Sequence, residues 1–373
     1  DSGQGMIEPG VILMKAVRVQ AFTQRPDDIG IDEVPLPEPA HGQIRVRMLM
    51  CPVHPSDFHF VRGIYYQALE RVIWNQGRTA ADPRVCFDPG RSNECPVPPY
   101  TLGAEGVGIV DASGGGLLAK HLVGKRVAVG GGGPPNGVWQ EFAIVNARRA
   151  VAVPDSLPDE QAAMYLANPI SAYVMVKEVL KVPRNSWLLV TAAGSALGKS
   201  VVRIGKREGF RTICVVRSSA NTAELASLGA DAVVETDHVD LVTEVARLTG
   251  GQGVRSALDC VGGSLTGQVL RCLGLNGQLV VYGTLADAPI EFPARDLMMP
   301  LAQVTGFYLG NWMAQQSPLR LLRLLHAVKR LTAEGVFETD VSGTYPLEQV
   351  SAAVAASIKP GRTGKVMLRI GTR

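Results

Sequence analysis

The sequence predicts an α/β protein of two domains: a β-barrel-like domain and a doubly wound domain built on a parallel sheet. The chain has 373 residues, more than one hydrophobic core usually organises. Its first part alternates short apolar segments with Pro and Gly, which is the pattern of strands and turns. From about Asp159 onward, apolar strand segments alternate with helical segments. That alternation is typical of βαβ units on a parallel sheet.

Short strands separated by turns account for most of the first part. The candidate strands are Lys15–Gln20, Gly30–Val34, Gly42–Met50, Gly106–Val110, Lys125–Val129 and Gln140–Val145. One stretch, Gln67–Pro99, has no clean period and contains Cys86 and Cys95. An irregular segment of this length is uncommon in a compact domain and is often functional. The cysteine pair lacks metal-ligand spacing and is only weak evidence for a metal site.

The second part begins with helical segments at Glu160–Leu166 and Ser171–Leu180. The predicted strands and helices that follow are Trp187–Thr191, Arg211–Ser219, Ala223–Leu228, Ala232–Glu235, Leu241–Leu248, Ser256–Cys260, Leu265–Leu273 and Gln278–Tyr282. Ser317-Pro318 predicts the start of a long helix that ends near Glu334, because a hydroxyl at the N-cap and proline at the first helical position are favoured. A strand and helix over Thr344–Ile358 and a strand at Lys365–Ile370 predict a return to the first domain.

A turn of small residues, Ala192–Gly198, joins the apolar strand at Trp187–Thr191 to a helix. Free backbone N–H groups and the positive end of the helix dipole make such a turn an anion site. In an α/β unit the anion is usually a dinucleotide pyrophosphate. The glycine pattern is loose, and small residues that merely allow close packing are the alternative interpretation. The candidate contacts are Gly194, Ser195, Ala196, Leu197 and Gly198.

The next strand ends in Arg217-Ser218-Ser219 and has no acidic residue there. An acidic residue would accept hydrogen bonds from the adenosine ribose of NAD, whereas an arginine matches the geometry of the 2′-phosphate of NADP. Arg217 and Ser218 therefore indicate NADPH. The alternative is that Arg217 is a solvated residue at a strand end.

Composition excludes several classes of protein. The formal charge is +3, hydrophobic residues make up 46% and charged residues 19%, which describes an ordinary globular protein. No basic cluster is interleaved with aromatic residues, so no nucleic-acid partner is expected. No apolar run is long enough to span a bilayer, so no membrane association is expected. The scattered cysteines, with Cys214 and Cys260 in apolar strands, favour a reducing cytoplasm.

In the order and spacing of its motifs, the chain resembles the medium-chain dehydrogenase/reductases from Met14 onward, outside Gln67–Pro99. Within that superfamily it is most similar to the mitochondrial-type trans-2-enoyl-thioester reductases. The motifs are His54-Pro-Ser-Asp57, Arg62-Gly-Ile-Tyr65, Gly103-Ala-Glu-Gly106, Gly137-Val-Trp-Gln-Glu141, Asn168-Pro-Ile-Ser-Ala-Tyr173, Ala192–Gly198, Val215-Val-Arg217, Asp259-Cys-Val-Gly-Gly263, Tyr282-Gly283, Gly306-Phe-Tyr-Leu-Gly-Asn-Trp312, Tyr345-Pro-Leu-Glu and Gly364-Lys-Val.

The resemblance implies a GroES-like β-barrel catalytic domain over residues 14–165, a Rossmann NADP-binding domain over 166–312, and a return to the catalytic domain over 313–373. It also implies further cofactor contacts, at Asn168, Tyr282, Gly283, Phe307, Leu309 and Lys365. Reductases of this kind are commonly homodimers joined edge to edge through the dinucleotide-domain sheet. The candidate edge is the apolar strand around Val304–Leu309, since an uncovered edge exposes unpaired backbone groups.

The resemblance also bears on metal chemistry. Zinc-dependent relatives place a cysteine before the Ser-Asp pair and a histidine in a Gly-His-Glu segment, but this chain has His54 and Ala104 at those positions. Alanine cannot bind zinc, and a catalytic zinc needs three protein ligands, so no metal is expected. A site built from Cys51, His54 and His59 remains a minor alternative.

Without a metal, hydrogen-bond donors must polarise the substrate carbonyl. The tyrosine that does this in the enoyl reductases corresponds to Tyr65, with Tyr66 one residue away as the alternative. A phenol of ordinary pKa stays protonated at neutral pH and can donate. The expected function is NADPH-dependent reduction of an α,β-unsaturated carbonyl compound, free or carrier-bound, with a thioester on CoA or a carrier protein preferred. The alternatives are a quinone or free-enone reductase and a non-catalytic NADPH-binding sensor or partner protein.

Overall fold

A computed structural model of the chain describes residues 11–66, 98–130, 136–359 and 361–373. These residues separate into two compact units. Unit 1 contains the described residues of 11–166 together with 341–359 and 365–373, and unit 2 contains residues 167–340 and 361–364. No helix in the described ranges is both long enough and apolar enough to cross a bilayer.

Unit 1 consists mainly of strands. They are β1 Leu13–Val19, β2 Gly30–Pro35, β3 Gln43–Val53, β4 Tyr100–Thr101, β5 Glu105–Ser113, β6 Arg126–Gly130, β7 Phe142–Asn146, β8 Ala150–Ala152, β15 Val341–Pro346 and β16 Lys365–Arg369. Its helices are α1 Pro55–Val61, α2 Leu117–Leu122, α3 Asp159–Ala163 and α12 Val350–Ser357. The predicted strands of the first part are thereby confirmed to within a few residues.

The described strands of unit 1 form two sheets, one in the order β2-β1-β4 and one in the order β15-β16-β3-β5-β6-β8, with β7 also paired to β3. Strand β3 is the centre of the larger sheet, because it pairs with β5, β7 and β16. Its register against β5 shifts at Arg45/Val46 and again at Met48/Met50. Such irregularities bend and twist a strand, which lets the sheet curve around a core that includes Ile44, Val46 and Trp139.

Unit 2 alternates strands and helices, as predicted. Its strands are β9 Trp187–Thr191, β10 Arg211–Val216, β11 Ala232–Glu235, β12 Val254–Asp259, β13 Leu273–Val281 and β14 Gln303–Gly306. Its helices are α4 Ala167–Val174, α5 Ala196–Glu208, α6 Thr222–Leu228, α7 Leu241–Leu248, α8 Gly263–Arg271, α9 Ala294–Met298, α10 Leu309–Ala314 and α11 Pro318–Ala333.

The described strands of unit 2 form one parallel sheet in the order β11-β10-β9-β12-β13-β14. The chain moves outward from β9 through β10 to β11 and then returns to β12 on the other side of β9. Ligands of doubly wound sheets bind at this kind of switch point, outside the carboxyl ends of the strands. The turn Ala192–Gly198 follows β9 and lies at that end of the sheet.

One predicted boundary differs from the structure. The return to the first domain was predicted at residue 313, whereas the chain returns at Val341. Helix α11 belongs to unit 2, where it packs against α4 and buries Leu324, Val328 and Leu331. Its start was predicted correctly, because the Ser317 hydroxyl accepts a hydrogen bond of 3.3 Å from the Arg320 amide.

Candidate functional site

The turn after β9 has the backbone of an anion site. Ala192 adopts a left-handed conformation with φ of +46°, and Ser195 caps α5 by accepting a hydrogen bond of 3.1 Å from the Gly198 amide. The first N–H groups of a helix have no acceptor within the helix. The Ala196 and Leu197 amides are therefore available to an anion at the positive end of the helix dipole.

Two glycines of this turn are required by close contacts. A Cβ on Gly198 would lie 2.5 Å from the carbonyl oxygen of Ala193, and a Cβ on Gly194 would lie 2.6 Å from the Asn221 side chain. The motif has fewer glycines than is usual in such turns, but both of its glycines lie where a side chain would not fit. Asn221, for which no role was predicted, has a buried amide oxygen with no hydrogen-bond partner among the described residues. An unpaired buried acceptor beside the turn suits a hydroxyl-bearing ligand.

Arg217 and Ser218 follow β10 directly. The Arg217 carbonyl accepts a hydrogen bond of 3.0 Å from the Asp237 amide, which fixes the backbone at the strand end. Its side chain is exposed, and no carboxylate of the described residues pairs with the guanidinium. An exposed guanidinium without a carboxylate partner can bind a phosphate in the bidentate geometry that this group favours.

A buried carboxylate organises the ends of two central strands. Asp259, the last residue of β12, accepts hydrogen bonds from the hydroxyls of Thr191 at 2.6 Å and Thr266 at 2.5 Å. It also accepts from the amides of Val261 at 3.2 Å and Gly262 at 3.1 Å. Asp259 belongs to one of the sequence motifs, but no role was predicted for it. A fully buried acid that is followed by Val-Gly-Gly is the signal that could have identified it, since buried charges need hydrogen-bond partners.

The other predicted cofactor contacts of unit 2 lie at strand and helix ends. Asn168 is half-buried in the first turn of α4, and Leu309 begins α10. The Phe307 amide donates to the carbonyl of Val281, which extends β14 along β13. A Cβ on Gly283 would lie 2.8 Å from Cys260. Burial beside Cys260 raises the pKa of the Tyr282 hydroxyl well above its usual value, so this hydroxyl stays protonated.

In unit 1, Tyr65 lies in the turn that follows α1. Its ring packs edge-on against Phe60, with 5.0 Å between centroids, and against His59 at 5.5 Å. Tyr66 instead lies 5.9 Å from the ring of Phe22. Both tyrosines are half-buried. The two candidate donors therefore contact different surroundings, and one cannot replace the other without a change of the turn.

Two motifs of unit 1 pack against each other. Gly103 has φ of +105°, and a Cβ there would lie 2.4 Å from the Trp139 ring. The Val138 amide donates to the Gly103 carbonyl at 3.0 Å. A Cβ on Gly106 would lie 2.5 Å from the Cys51 sulfur. These contacts explain both glycines of Gly103-Ala-Glu-Gly106, and they direct Glu105 into the interior.

His54, Glu105 and Lys365 form a buried cluster. His54 Nε2 lies 2.9 Å from Glu105 Oε1, and His54 Nδ1 lies 2.9 Å from Lys365 Nζ. The His54 amide donates to Asp57 Oδ2 at 2.8 Å. Burial raises the pKa of Asp57, and the hydrogen bond from the His54 amide and the nearby charge of Lys365 oppose that shift. Lys365 was predicted as a cofactor contact, but its amine is directed to His54 in the interior of unit 1.

His54 of this cluster is also one of the three residues of the alternative zinc site, with Cys51 and His59. Both ring nitrogens of His54 already have partners. Burial raises the pKa of the Cys51 thiol well above its usual value, so it remains a packed thiol. No group of three or more His, Cys, Asp or Glu side chains in the described ranges could hold a metal ion. The predicted core thiols Cys214 and Cys260 are buried and free. Most of the irregular stretch, with Cys86 and Cys95, lies outside the described residues.

Comparisons with known proteins cover both units. The alcohol dehydrogenase GroES-like domain family matches residues 40–155, and the zinc-binding dehydrogenase family matches residues 196–327. The mitochondrial enoyl-[acyl-carrier-protein] reductase of Bos taurus is 28% identical over 88% of this chain and 81% of its own length. The Homo sapiens enzyme of that name is 27% identical over the same shares.

Solved structures share the fold over almost the whole chain. A Bacillus thuringiensis protein assigned as an NADPH:quinone reductase matches with a TM-score of 0.83 and 29% identity, over 96% of this chain and 100% of that one. The quinone oxidoreductase of Escherichia coli, solved in complex with NADPH, matches with a TM-score of 0.80 and 22% identity, over 95% and 99% of the two chains. The chain therefore belongs to the medium-chain dehydrogenase/reductase superfamily, as an oxidoreductase with homology to the mitochondrial enoyl-[acyl-carrier-protein] reductases.

Proposed function

We propose that this protein is an NADPH-dependent reductase of α,β-unsaturated carbonyl compounds, with trans-2-enoyl thioesters as the preferred class. The observation that supports the proposal most is the turn after β9 beside a basic strand end, where Arg217 is exposed and uncommitted. The thioester class rests on the likeness to enoyl-[acyl-carrier-protein] reductases over most of the chain.

The residues of unit 2 fit a bound NADPH. The amides at the start of α5 would hold the pyrophosphate, and Arg217 with Ser218 would hold the 2′-phosphate. The buried Asn221 oxygen beside Gly194 would accept a hydrogen bond from a ribose hydroxyl. When bound, NADPH supplies the hydride that the β-carbon of the substrate receives.

Tyr65 would act on the substrate carbonyl. Negative charge develops on the carbonyl oxygen as the β-carbon gains a hydride, and a positioned O–H donor stabilises it. A proton must then reach the α-carbon, so that the C=C bond becomes a C–C bond with one hydrogen added at each carbon. The packing of Tyr65 against Phe60 and His59 restricts its ring, and a restricted donor needs less reorganisation during the reaction.

Quinone reduction is the second candidate, favoured by the fold shared with an assigned NADPH:quinone reductase at 29% identity. The same nucleotide site serves both activities, so substrate preference alone separates them. A third possibility is an NADPH-binding sensor or partner protein that turns over neither class of acceptor.

The test is NADPH oxidation, followed by absorbance, against a panel of trans-2-enoyl-CoAs, enoyl groups on a carrier protein, free enones and quinones. We expect the highest kcat/KM with a thioester, and the same rate after treatment with a chelator. Turnover of quinones alone would favour the second candidate. Tight NADPH binding without turnover of any acceptor would favour the sensor.

A further inference from the structure

In the cluster of Lys365, His54 and Glu105, the geometry determines which ring nitrogen of His54 carries the proton. The three residues are 5%, 7% and 2% exposed, so water cannot satisfy these groups as it does at a surface. A lysine ammonium has donors and no acceptor. Lys365 therefore donates to His54 Nδ1, which leaves the ring proton on Nε2, where it is donated to Glu105 Oε1.

The reverse arrangement would need a neutral amine at Lys365 and an imidazolium at His54. The carboxylates of Glu105 and Asp57 belong to the same cluster, and an ammonium balances buried negative charge. The geometry therefore favours an ammonium, a neutral Nε2–H imidazole and a carboxylate in series.

This series joins segments that are distant in the chain. Lys365 begins β16, Glu105 begins β5, and His54 is the N-cap residue of α1. The second carboxylate oxygen of Glu105 accepts a hydrogen bond of 3.1 Å from the amide of Leu166, the last residue of this part of unit 1. Helix α1 begins directly after His54 and ends just before the turn with Tyr65.

We propose that Lys365 is a positioning residue, whose ammonium fixes His54 as the Nε2–H tautomer and thereby fixes the start of α1 and the turn that presents Tyr65. The Lys365 ammonium, alongside the capping box of His54 and Asp57, then contributes to the ring orientation of His54, the direction of the Glu105 carboxylate and the placement of the turn. The effect on catalysis rests on the proposed function, whereas the tautomer of His54 does not.

The first experiment is ¹⁵N NMR of the histidine side chains in the full-length protein at neutral pH. The chain has six histidines, and the spectrum of His54→Gln identifies the signals that belong to His54. We expect one protonated and one unprotonated ring nitrogen, with the proton on Nε2. An imidazolium, or a proton on Nδ1, would overturn the proposal because either requires Lys365 to accept.

The second experiment compares Lys365→Met, Lys365→Arg and the exposed control Lys120→Met. We expect Lys365→Met to lower kcat for enoyl thioesters by about 10- to 100-fold, since small misplacements of catalytic groups have effects of this size. Its NADPH dissociation constant, measured by fluorescence titration, should be unchanged. Lys365→Arg should restore most of kcat, because it retains a cationic donor, and the control should match the wild type.

Other outcomes of the two experiments would change the role assigned to Lys365. A weaker NADPH dissociation constant in Lys365→Met, with kcat and the His54 tautomer unchanged, would make Lys365 a cofactor contact and overturn the proposal. If Lys365→Met does not fold, the wild-type tautomer and the kcat of Lys365→Arg still decide the matter. If the wild type reduces no thioester, the proposed function fails, while the NMR result continues to test the role of Lys365 toward His54.

Discussion

The Thr191 hydroxyl donates a hydrogen bond of 2.6 Å to the buried Asp259 carboxylate, and it accepts one of 3.2 Å from the Cys260 amide. Thr191 ends β9 and Asp259 ends β12, the two neighbouring strands at which the chain order of the sheet reverses. The pair therefore fixes the strand end from which the nucleotide-binding turn starts. A side chain that is remote from solvent thus determines where the first amides of α5 lie.

Thr191→Val should destabilise the protein by about 1–3 kcal/mol. The substitution leaves the Cys260 amide without its buried acceptor and removes one of the two donors to Asp259 Oδ1. An unsatisfied buried polar group costs about that much. Urea unfolding measures the change. Thr344→Val is the matched control, because Thr344 is an exposed strand residue. Equal stability of the two variants would contradict the role given to the Thr191–Asp259 pair.

Arg217→Ala should raise the KM for NADPH by about tenfold or more and leave the KM for NADH nearly unchanged. A charge-assisted hydrogen bond contributes about 1.5–3 kcal/mol, and only NADPH has the 2′-phosphate that would accept it. The exposed Arg255 provides the control Arg255→Ala, which should not alter either constant. If the wild type uses both cofactors equally well, Arg217 does not have this role.

Tyr65→Phe should lower kcat by about 10²- to 10⁴-fold, the usual loss when a general acid is removed, with little change in NADPH affinity. The loss will be near the lower limit if water can supply the proton. Tyr66→Phe is the matched control one residue away, and its ring contacts Phe22 instead of Phe60. Full kcat in Tyr65→Phe with an inactive Tyr66→Phe would assign the role to Tyr66.

Local features of the sequence were sufficient to predict many of the helices and strands of unit 2. The limits of Ala232–Glu235 and Leu241–Leu248 were predicted to the residue, because apolar periodicity and turn residues act over a few positions. Ser195 caps α5, and Gly209 ends it with a left-handed conformation. These signals need no information about the rest of the fold.

Other features depend on contacts between distant parts of the chain. Lys365 and His54 are 311 positions apart, and nothing near Lys365 in the sequence indicates an imidazole as its partner. Helix α11 is amphipathic, but its pattern does not reveal that α4 is the element it packs against. The return to unit 1 was therefore predicted too early. The single-residue choice between Tyr65 and Tyr66 is also beyond what motif spacing can resolve.

We expect a homodimer joined through β14. This strand ends the described order of the unit 2 sheet, and it covers Gln303–Gly306, shorter than the predicted segment because Leu309 already begins α10. Val304 on it is 42% exposed, and the nearby Met299 and Leu301 are 77% and 60% exposed. An uncovered apolar edge favours pairing with another edge.

Val304→Lys should shift the protein toward the monomer in light scattering at micromolar concentration, because a lysine at an edge opposes strand pairing. Leu117→Lys is the control, since Leu117 is 93% exposed and lies in unit 1. A monomeric wild type under the same conditions would contradict the expected assembly.

The most direct test of the central claim is the position of deuterium in the product when trans-2-butenoyl thioester is reduced with NADPH deuterated at nicotinamide C4. NMR of the butanoyl product should show one deuterium on the β-carbon and a solvent-derived hydrogen on the α-carbon. Separate assays with each C4 epimer of the deuterated NADPH ensure that the transferred position is labelled in one of them. An aldehyde or alcohol with deuterium at the former carbonyl carbon, or a butenoyl thioester left unreduced by active protein, would contradict the account.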